Sequence, residues 1–255
     1  MARVARHDEV RLVATEPSVA AAPASDALSA DALRKLLSWL SPAFPVGGFS
    51  YSHGLEWAIE DGTVTDGATL EAWLADVLRH GAGQTDAILF RHAWRAADAG
   101  DGTALTDLAE LGAAFQPARE RHLEATAQGR AFLAAVAAAW PTPRLTPLAE
   151  ALAPPLPLPY AVAVAACAAA HDIPAEPALA AFLNGFAGNV VSAGVRAIPI
   201  GQTDGLKVVA ALGPVIDAVM VATETATLDD LGGAALRADI AAMRHETQYT
   251  RLFRS

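Results

Sequence analysis

The sequence predicts an all-α protein: a single compact domain of about ten helices that follows a flexible N-terminal extension. Alanine, the strongest helix former, occupies 61 of the 255 positions. Large apolar residues recur every three or four positions along most of the chain, which is the spacing of one helix face. Apolar and polar residues almost never alternate, so strands are not expected.

The extension is predicted to span residues 1–28, which mix charged residues with alanine, proline and serine and show no sustained period. Helices follow from about Asp31 onwards. One of them is predicted to begin after a capping residue, Thr65 or Asp66. Its apolar face consists of Leu70, Trp73, Leu74, Val77 and Leu78. Glycine-rich turns then separate further helices, at 81–83, 100–102 and 232–233.

A proline-rich stretch divides the helical part of the chain. Seven prolines fall within residues 141–159, where a helix would lose backbone donors, so a connection is predicted there. The second half contains very apolar helices. One of them carries a face of Val208, Val209, Leu212, Val215, Ile216, Val219 and Met220. Because very apolar helices must bury their side chains against other helices, the second half is predicted to pack on the first within one domain over residues 29–255.

Composition excludes several classes of function. The chain has 18 basic and 28 acidic residues and a net charge of −10, whereas nucleic-acid binding needs a basic face. Its single cysteine, Cys167, cannot form an intrachain disulfide or a cysteine-pair zinc site, which indicates a reducing, cytoplasmic compartment. The N-terminus does not read as a secretory signal, and the most apolar run, residues 160–170, is too short to cross a bilayer. We therefore expect neither a nucleic-acid partner nor a membrane.

The common signatures of hydrolases are missing from the sequence. Residues 201–207 contain two glycines and a lysine, but not at the spacing of a P-loop, and neither G-x-S-x-G nor H-E-x-x-H occurs. The seven histidines never pair at i, i+4. Two pairs, His53 with Glu56 and Asp76 with His80, could each supply two metal ligands. Hydrogen bonding at a helix end is the commoner role of such pairs.

Three segments stand out from this background. The first, residues 41–57, breaks a helix with two prolines and a glycine pair and then crowds Tyr51, His53 and Glu56 at the start of the next helix. An interhelical turn is the plain interpretation, but it does not account for this concentration of polar groups.

The second segment, residues 184–205, places Arg196 just before a helix end, where an arginine either complements the helix dipole or anchors a carboxylate or phosphate of a partner. The third is the tail, residues 244–255. It is basic and aromatic on an acidic chain, and therefore has the composition of a docking segment rather than of a frayed terminus.

Together these segments resemble the UreF family of urease accessory proteins. The resemblance rests on residues 42–56, 192–203 and 250–255, and it covers about Leu36 to Ser255. The N-terminal extension and the proline- and leucine-rich residues 145–159 depart from the family pattern.

The resemblance implies an all-helical, cytoplasmic protein that forms a homodimer and assembles with the scaffold protein UreD (also called UreH), the GTPase UreG and apo-urease. In that scheme the protein bridges the scaffold and the GTPase, regulates GTP hydrolysis and helps nickel reach urease. It is not itself an enzyme. No cofactor is expected to bind stably, and nickel is expected only in transit.

The resemblance also implies roles for individual residues. Arg196 resembles the basic family position that faces the GTPase, and Tyr51 and Glu56 resemble positions near the dimer or the nickel path. Gln202, in the second motif, is also expected to contact a partner. The tail resembles the family segment that becomes ordered on the scaffold, and its expected contact residues are Tyr249, Arg251, Leu252, Phe253 and Arg254.

Two other functions remain open at this point. The chain could be a small helical enzyme with a site built from Tyr51, His53, Glu56 and Arg196. It could also be a direct nickel chaperone, although His53, Cys167 and His171 do not form an evident site, and Cys167 lies in an apolar helix where a small core role is expected.

Overall fold

The computed structural model describes residues 28–255, so the extension predicted over residues 1–28 lies outside the described residues except for Leu28. Within the described part the chain forms eleven α-helices and two 3₁₀ turns and contains no strand, which confirms the all-α prediction. The helices are α1 (Ala30–Trp39), α2 (Leu55–Glu60), α3 (Gly67–His80), α4 (Ala82–Asp98), α5 (Gly102–Ala114), α6 (Arg119–Ala139), α7 (Leu145–Ala151), α8 (Tyr160–Ala170), α9 (Ala175–Ala197), α10 (Gln202–Thr223) and α11 (Leu236–His245). The 3₁₀ turns span Gly48–Ser50 and Leu228–Asp230.

Helix α8 lies at the centre of the fold. Ten of its eleven residues are buried, and all ten are alanine, valine or cysteine. Because these side chains are short, α4 and α6 pack closely on α8 from two sides. Cys167 is a buried part of this packing, as predicted for a small core residue.

The two halves of the chain form one body, as the sequence predicts. Helix α8 of the second half packs on α4 and α6 of the first, and α10 packs on α3 and on α9. The apolar face predicted for α3 is buried throughout. On α10, the buried members of the predicted face are Val208, Leu212, Val215, Ile216 and Val219.

Helix ends follow local chemistry. Asp66 caps α3, because the backbone N–H of Thr69 donates to Asp66 Oδ1 at 2.8 Å, and the two residues complete a capping box.

Helix α7 is a departure from the prediction, since it forms inside the proline-rich stretch. Pro147 is its third residue and therefore lies in the first turn, where a backbone N–H has no partner within the helix.

Helices α9 and α10 are long and apolar enough, by length and composition alone, to cross a membrane. Glycine and polar residues interrupt both helices, so neither contains an uninterrupted apolar run as long as that of α8. The body of the protein buries 50% of the apolar window of α9 and 33% of that of α10. Core helices of soluble proteins have the same composition, so these two helices do not indicate a membrane protein.

Candidate functional site

The first and third sequence motifs meet at one edge of the helical body. The backbone N–H of Arg254 donates to the carbonyl oxygen of Ser50 at 2.8 Å, and that of Ser52 donates to the carbonyl oxygen of Ser255 at 2.8 Å. The hydroxyl of Ser52 also donates to the Ser255 carbonyl oxygen. The last residues of the chain therefore lie beside the turn that precedes α2.

Left-handed backbone conformations shape this turn. His53 has φ 59° and Gly54 has φ 75°. A Cβ atom at Gly54 would lie 2.9 Å from the backbone nitrogen of Ala242 in α11, so the close approach of the turn to α11 requires glycine there. This contact brings the start of α2 against the helix that leads into the tail.

The carboxylate of Glu56 holds the tail backbone. Its Oε1 atom accepts from the N–H of Leu252 at 2.6 Å, and its Oε2 atom accepts from the N–H of Phe253 at 3.0 Å. The side chain of Glu56 is buried. Because charge-assisted hydrogen bonds to buried groups are among the stronger polar contacts, Glu56 is the main anchor of the tail backbone.

A second carboxylate, on α6, holds a tail side chain. Glu120 Oε1 accepts from the guanidinium of Arg251 at 2.6 Å, and Glu120 Oε2 lies 2.6 Å from Nδ1 of His245. His245 is the last residue of α11 and is fully buried. The tail is therefore held from α2 and from α6.

The second motif contributes Arg196, the predicted GTPase-facing residue, to the same place. Its guanidinium carbon lies 3.7 Å from the ring centroid of Phe49 and 4.5 Å from that of Phe253. Its Nε atom donates to the carbonyl oxygen of Ser192 at 3.1 Å. Burial against the two rings lowers the pKa of Arg196. All three motifs thus meet around one arginine, which stays exposed on its outer side.

We call this junction of Phe49–Glu56, Arg196 and Leu252–Ser255 the tail junction. Tyr249 is fully exposed beside it, and Leu252 is 73% exposed. Phe253 is only 5% exposed, so it faces the chain's own core. Tyr249 and Leu252 therefore form an exposed apolar surface at the tail junction, while Phe253 fixes the tail to the core.

Tyr51 and Glu56 face the interior of the protein in this conformation. Tyr51 is buried, its ring centroid lies 5.9 Å from the guanidinium carbon of Arg254, and burial raises the pKa of its hydroxyl. Glu56 contacts the tail and α11, and Arg254 of the tail lies near the ring of Tyr51, so a partner would reach these two residues only if the tail moved.

Gln202 lies apart from the tail junction. It is the exposed first residue of α10 and lines a groove of about 280 Å³ between α9 and α10. The floor of this groove contains Gly188, at which an added Cβ would meet nothing within 4 Å. We call it the α9/α10 groove.

A buried polar cluster behind the tail junction was missed in the sequence analysis. Glu124 pairs with Arg121 and accepts from the hydroxyl of Ser255, while His53 Nδ1 lies 3.9 Å from Glu124 Oε1. The only signal was a basic and an acidic residue three positions apart on α6, a pattern that usually marks an exposed helix face. Asp86 of α4 completes the cluster.

The cluster shifts three pKa values. Arg121, the nearby His53 ring and the hydrogen bond from Ser255 together overcome the opposing effect of burial and lower the pKa of Glu124 to about 2. Burial lowers the pKa of His53 to about 4. Burial also raises the pKa of Asp86 to about 7. Asp86 and Arg121 line two small cavities. His53 also lines the larger one, of about 90 Å³, and Tyr51 lines the smaller one, of about 40 Å³.

The two residue pairs that could supply metal ligands, His53 with Glu56 and Asp76 with His80, are not part of any larger group of ligands in the described chain. Among residues 28–255 no group of three or more His, Cys, Asp or Glu side chains is placed to hold a metal ion. His53 faces Glu124 rather than Glu56. Asp76 and His80 are both exposed on α3.

The four residues of the enzyme hypothesis do not converge on one cavity. His53 and Tyr51 line different cavities, and neither Glu56 nor Arg196 lines either of the two. Of the residues in the chaperone hypothesis, Cys167 is buried within α8 and His171 is the half-buried residue that follows this helix. Burial raises the pKa of the Cys167 thiol, and the two ring nitrogens of His171 lie 2.7 and 2.9 Å from backbone carbonyl oxygens.

Comparison with known proteins identifies the family. A sequence model of the UreF family matches residues 64–213. "Urease accessory protein UreF" of Rhodopseudomonas palustris (strain BisB5) is 52% identical over 238 residues, which cover 93% of this chain and 97% of the relative. The protein of the same name from Methylobacterium sp. (strain 4-46) is 53% identical over 220 residues, 86% of this chain and 87% of the relative. The chain therefore belongs to the UreF family.

Proposed function

We propose that this protein is a cytoplasmic urease accessory protein, which takes part in urease maturation through protein contacts and catalyses no reaction of its own. The name of its relatives, urease accessory protein, points to urease maturation as the process. The single structural observation that carries the proposal is the tail junction, where the three motifs form a contact surface around Arg196 rather than a catalytic pocket.

The tail is the proposed docking segment for the scaffold protein UreD. Tyr249 and Leu252 project outward, while Phe253 and the backbone contacts with Glu56 anchor the segment from behind. An exposed aromatic and an exposed aliphatic residue on a rigid support have the composition of an interface hot spot. Arg251 and Arg254 add fork-shaped donors at its edge.

Arg196 is the proposed contact with the GTPase UreG, through which the protein regulates GTP hydrolysis. The rings of Phe49 and Phe253 both contact its guanidinium, which reduces the conformational entropy lost on binding an acidic group of the partner. Because Phe253 belongs to the tail, the two proposed partners bind adjacent parts of one surface. This adjacency supports a bridge between scaffold and GTPase.

The substitution Arg196→Ala tests the GTPase contact. The fold is expected to persist, since the guanidinium is partly exposed, while GTP-dependent activation of urease falls about tenfold or more, as for loss of a hot-spot residue. The measurement is urease activity after reconstitution of apo-urease with nickel, GTP and the accessory proteins. Arg237→Ala, an exposed arginine on α11, serves as the matched control. Equal activation by both variants would contradict the proposal.

The α9/α10 groove is the proposed homodimer contact. Only 33% of the apolar window of α10 is buried. The side chain of Leu206 is 70% exposed, and Leu206 and Gly188 line the same groove. A protruding side chain next to a hollow on the same face suits a two-fold axis, because each copy then fills the hollow of the other.

Sedimentation of Leu206→Glu tests the dimer. We expect the unaltered chain to sediment with the mass of two copies and the variant with the mass of one, since a carboxylate would be buried without a partner. Leu236→Glu, an equally exposed leucine on α11, should leave the dimer intact. A single-copy mass for the unaltered chain at micromolar concentration would contradict the dimer.

Nickel is proposed to be cargo that passes through the assembly on its way to apo-urease. Calorimetry separates this role from that of a direct chaperone. We expect no saturable nickel binding by the isolated chain at micromolar concentration. A site of micromolar or tighter affinity would instead favour the chaperone.

A further inference from the structure

The 3₁₀ turn Gly48–Ser50 packs along one face of α9. A Cβ atom on Gly48 would lie 3.4 Å from the side-chain nitrogen of Asn189, so the backbone of the turn lies close to this helix. Asn189 and Arg196 are two helical turns apart on α9 and therefore share a face. Phe49 is the middle residue of the 3₁₀ turn, and it lies beside the Arg196 end of that face.

The ring of Phe49 covers the guanidinium of Arg196. The 3.7 Å between the guanidinium carbon and the ring centroid is the shortest arginine–ring contact among residues 28–255. A cation at this distance from an aromatic face is attracted by the ring electrons. Phe49 is 68% exposed, so its side chain contributes little to the core. Single exposed apolar residues are common, and it is the contact with Arg196 that distinguishes Phe49.

The polar atoms of Arg196 are only partly used within the chain. Its Nε atom donates to the carbonyl oxygen of Ser192, one helical turn earlier. Within residues 28–255, its Nη1 and Nη2 atoms donate to no acceptor. These two atoms are the ones that bind a carboxylate or a phosphate through parallel hydrogen bonds. The contact with Phe49 therefore restrains the guanidinium and leaves its anion-binding atoms available.

The two rings that contact Arg196 differ in how they depend on the tail. Phe253 belongs to the tail, the proposed scaffold-docking segment, and its ring centroid lies 4.5 Å from the guanidinium carbon. Phe49 belongs to the helical body and lies closer. Its contact with Arg196 therefore does not require a docked tail.

We propose that Phe49 is a positioning residue, whose aromatic face holds the guanidinium of Arg196 ready to bind an anionic group of the GTPase, independently of the tail. The inference rests on the proposed function, in which Arg196 is the GTPase contact, and deepens it. It assigns the role to the aromatic face of Phe49 and not to its apolar bulk.

A double-mutant cycle in the reconstitution of apo-urease with nickel, GTP and the accessory proteins tests the role. Phe49→Leu keeps an apolar side chain but removes the aromatic face, so activation should fall about twofold to fivefold, the effect of losing an exposed cation–π contact. Phe49→Tyr keeps the face and should retain full activation. In the Arg196→Ala background, Phe49→Leu should cause no further fall, because no guanidinium remains to be positioned.

Phe115→Leu is the matched control. Phe115 is an exposed phenylalanine that follows α5 and has no contact with Arg196. Its substitution should leave activation unchanged.

Proton NMR of the isolated chain tests the contact itself. Protons above an aromatic ring resonate upfield, so the side-chain protons of Arg196 should shift upfield in the unaltered chain and return downfield in Phe49→Leu. Phe253→Leu should leave the shift caused by Phe49 in place, since Phe49 belongs to the body.

Any of three results would overturn the inference: Arg196 protons that do not respond to Phe49→Leu, a fall in activation by Phe49→Tyr as large as that by Phe49→Leu, or an equal fall by Phe49→Leu with and without Arg196. The last result would mean that Phe49 contacts the partner directly. Full activation by Arg196→Ala would instead contradict the proposed function, and the positioning role with it.

Discussion

At the scale of single residues, the polar cluster behind the tail junction makes stability depend on pH in two opposing ways. The pKa of Asp86 is about 7 in the folded chain against 3.8 for an unperturbed aspartate, so the folded state binds more protons between these values. This group therefore lowers stability as the pH rises through that window. His53, with its pKa lowered to about 4, lowers stability as the pH falls below 6.5.

The substitution Asp86→Asn should stabilise the protein at pH 8.5 and have little effect at pH 4, because the cost of the raised pKa accumulates between these pH values. The amide keeps the size of the side chain and removes the charge. We expect a gain of about 1 to 3 kcal/mol at pH 8.5, since a tenfold change in proton affinity is worth about 1.4 kcal/mol and the adjoining cavities admit some solvent. Urea unfolding followed by circular dichroism measures the gain.

The exposed Asp76 of α3 provides the control for this measurement. Asp76→Asn should change stability equally at the two pH values. A stability gain in Asp86→Asn that does not depend on pH would contradict the assignment of a half-buried carboxyl group that holds its proton in the folded chain.

At the scale of elements, the fold depends on how closely helices approach the segment before α8. A Cβ atom on Gly129 of α6 would lie 2.0 Å from the carbonyl oxygen of Leu158 and 2.8 Å from the carbonyl carbon of Pro159. These are backbone atoms, so no side-chain rotation relieves the overlap. Gly213 of α10 has open space around it instead.

The two glycines should respond to alanine very differently. Gly129→Ala is expected to destabilise the protein by more than about 3 kcal/mol, because backbone must move to accommodate it. Gly213→Ala is expected to change stability by less than about 1 kcal/mol, because the gain in helix propensity is offset by Pro214, whose ring disfavours helical geometry at a preceding residue that carries a Cβ. Thermal unfolding of the two variants measures both effects, and a destabilised Gly213→Ala together with a tolerated Gly129→Ala would contradict the packing described.

At the scale of the whole molecule, periodicity was sufficient to predict the helical body, and unusual composition was sufficient to locate the three motifs. Leu70 and Leu212 were assigned to the core because each belongs to a stripe with the helical period. Helix α7 was missed because Pro147 looks like a helix breaker unless its place in the first turn is known. Local pattern therefore predicted the elements but not every boundary.

The functional contacts were harder to predict because they join distant parts of the chain. Glu56 and Leu252 are 196 positions apart, and nothing in either segment indicates that one binds the backbone of the other. Arg121 and Glu124 resemble an exposed helical pair and become a buried cluster only when α4, α6 and the tail pack together. The motifs were visible in the sequence, but their meeting around Arg196 follows from the tertiary fold.

The central claim is that the tail junction docks the partners of this protein, and co-purification tests it most directly. The tagged chain is co-expressed with UreD and UreG from the same source and compared with a chain that ends at Tyr249. A double variant, Tyr249→Ala with Leu252→Ala, removes only exposed side chains and so keeps the fold. Leu228→Ala, an exposed leucine outside the tail junction, is the control.

We predict that the unaltered chain and Leu228→Ala retain both partners, while the shortened chain and the double variant lose UreD. Equal retention of UreD by all four proteins would contradict the docking role of the tail. Failure of the unaltered chain to retain either partner would contradict the proposed function itself.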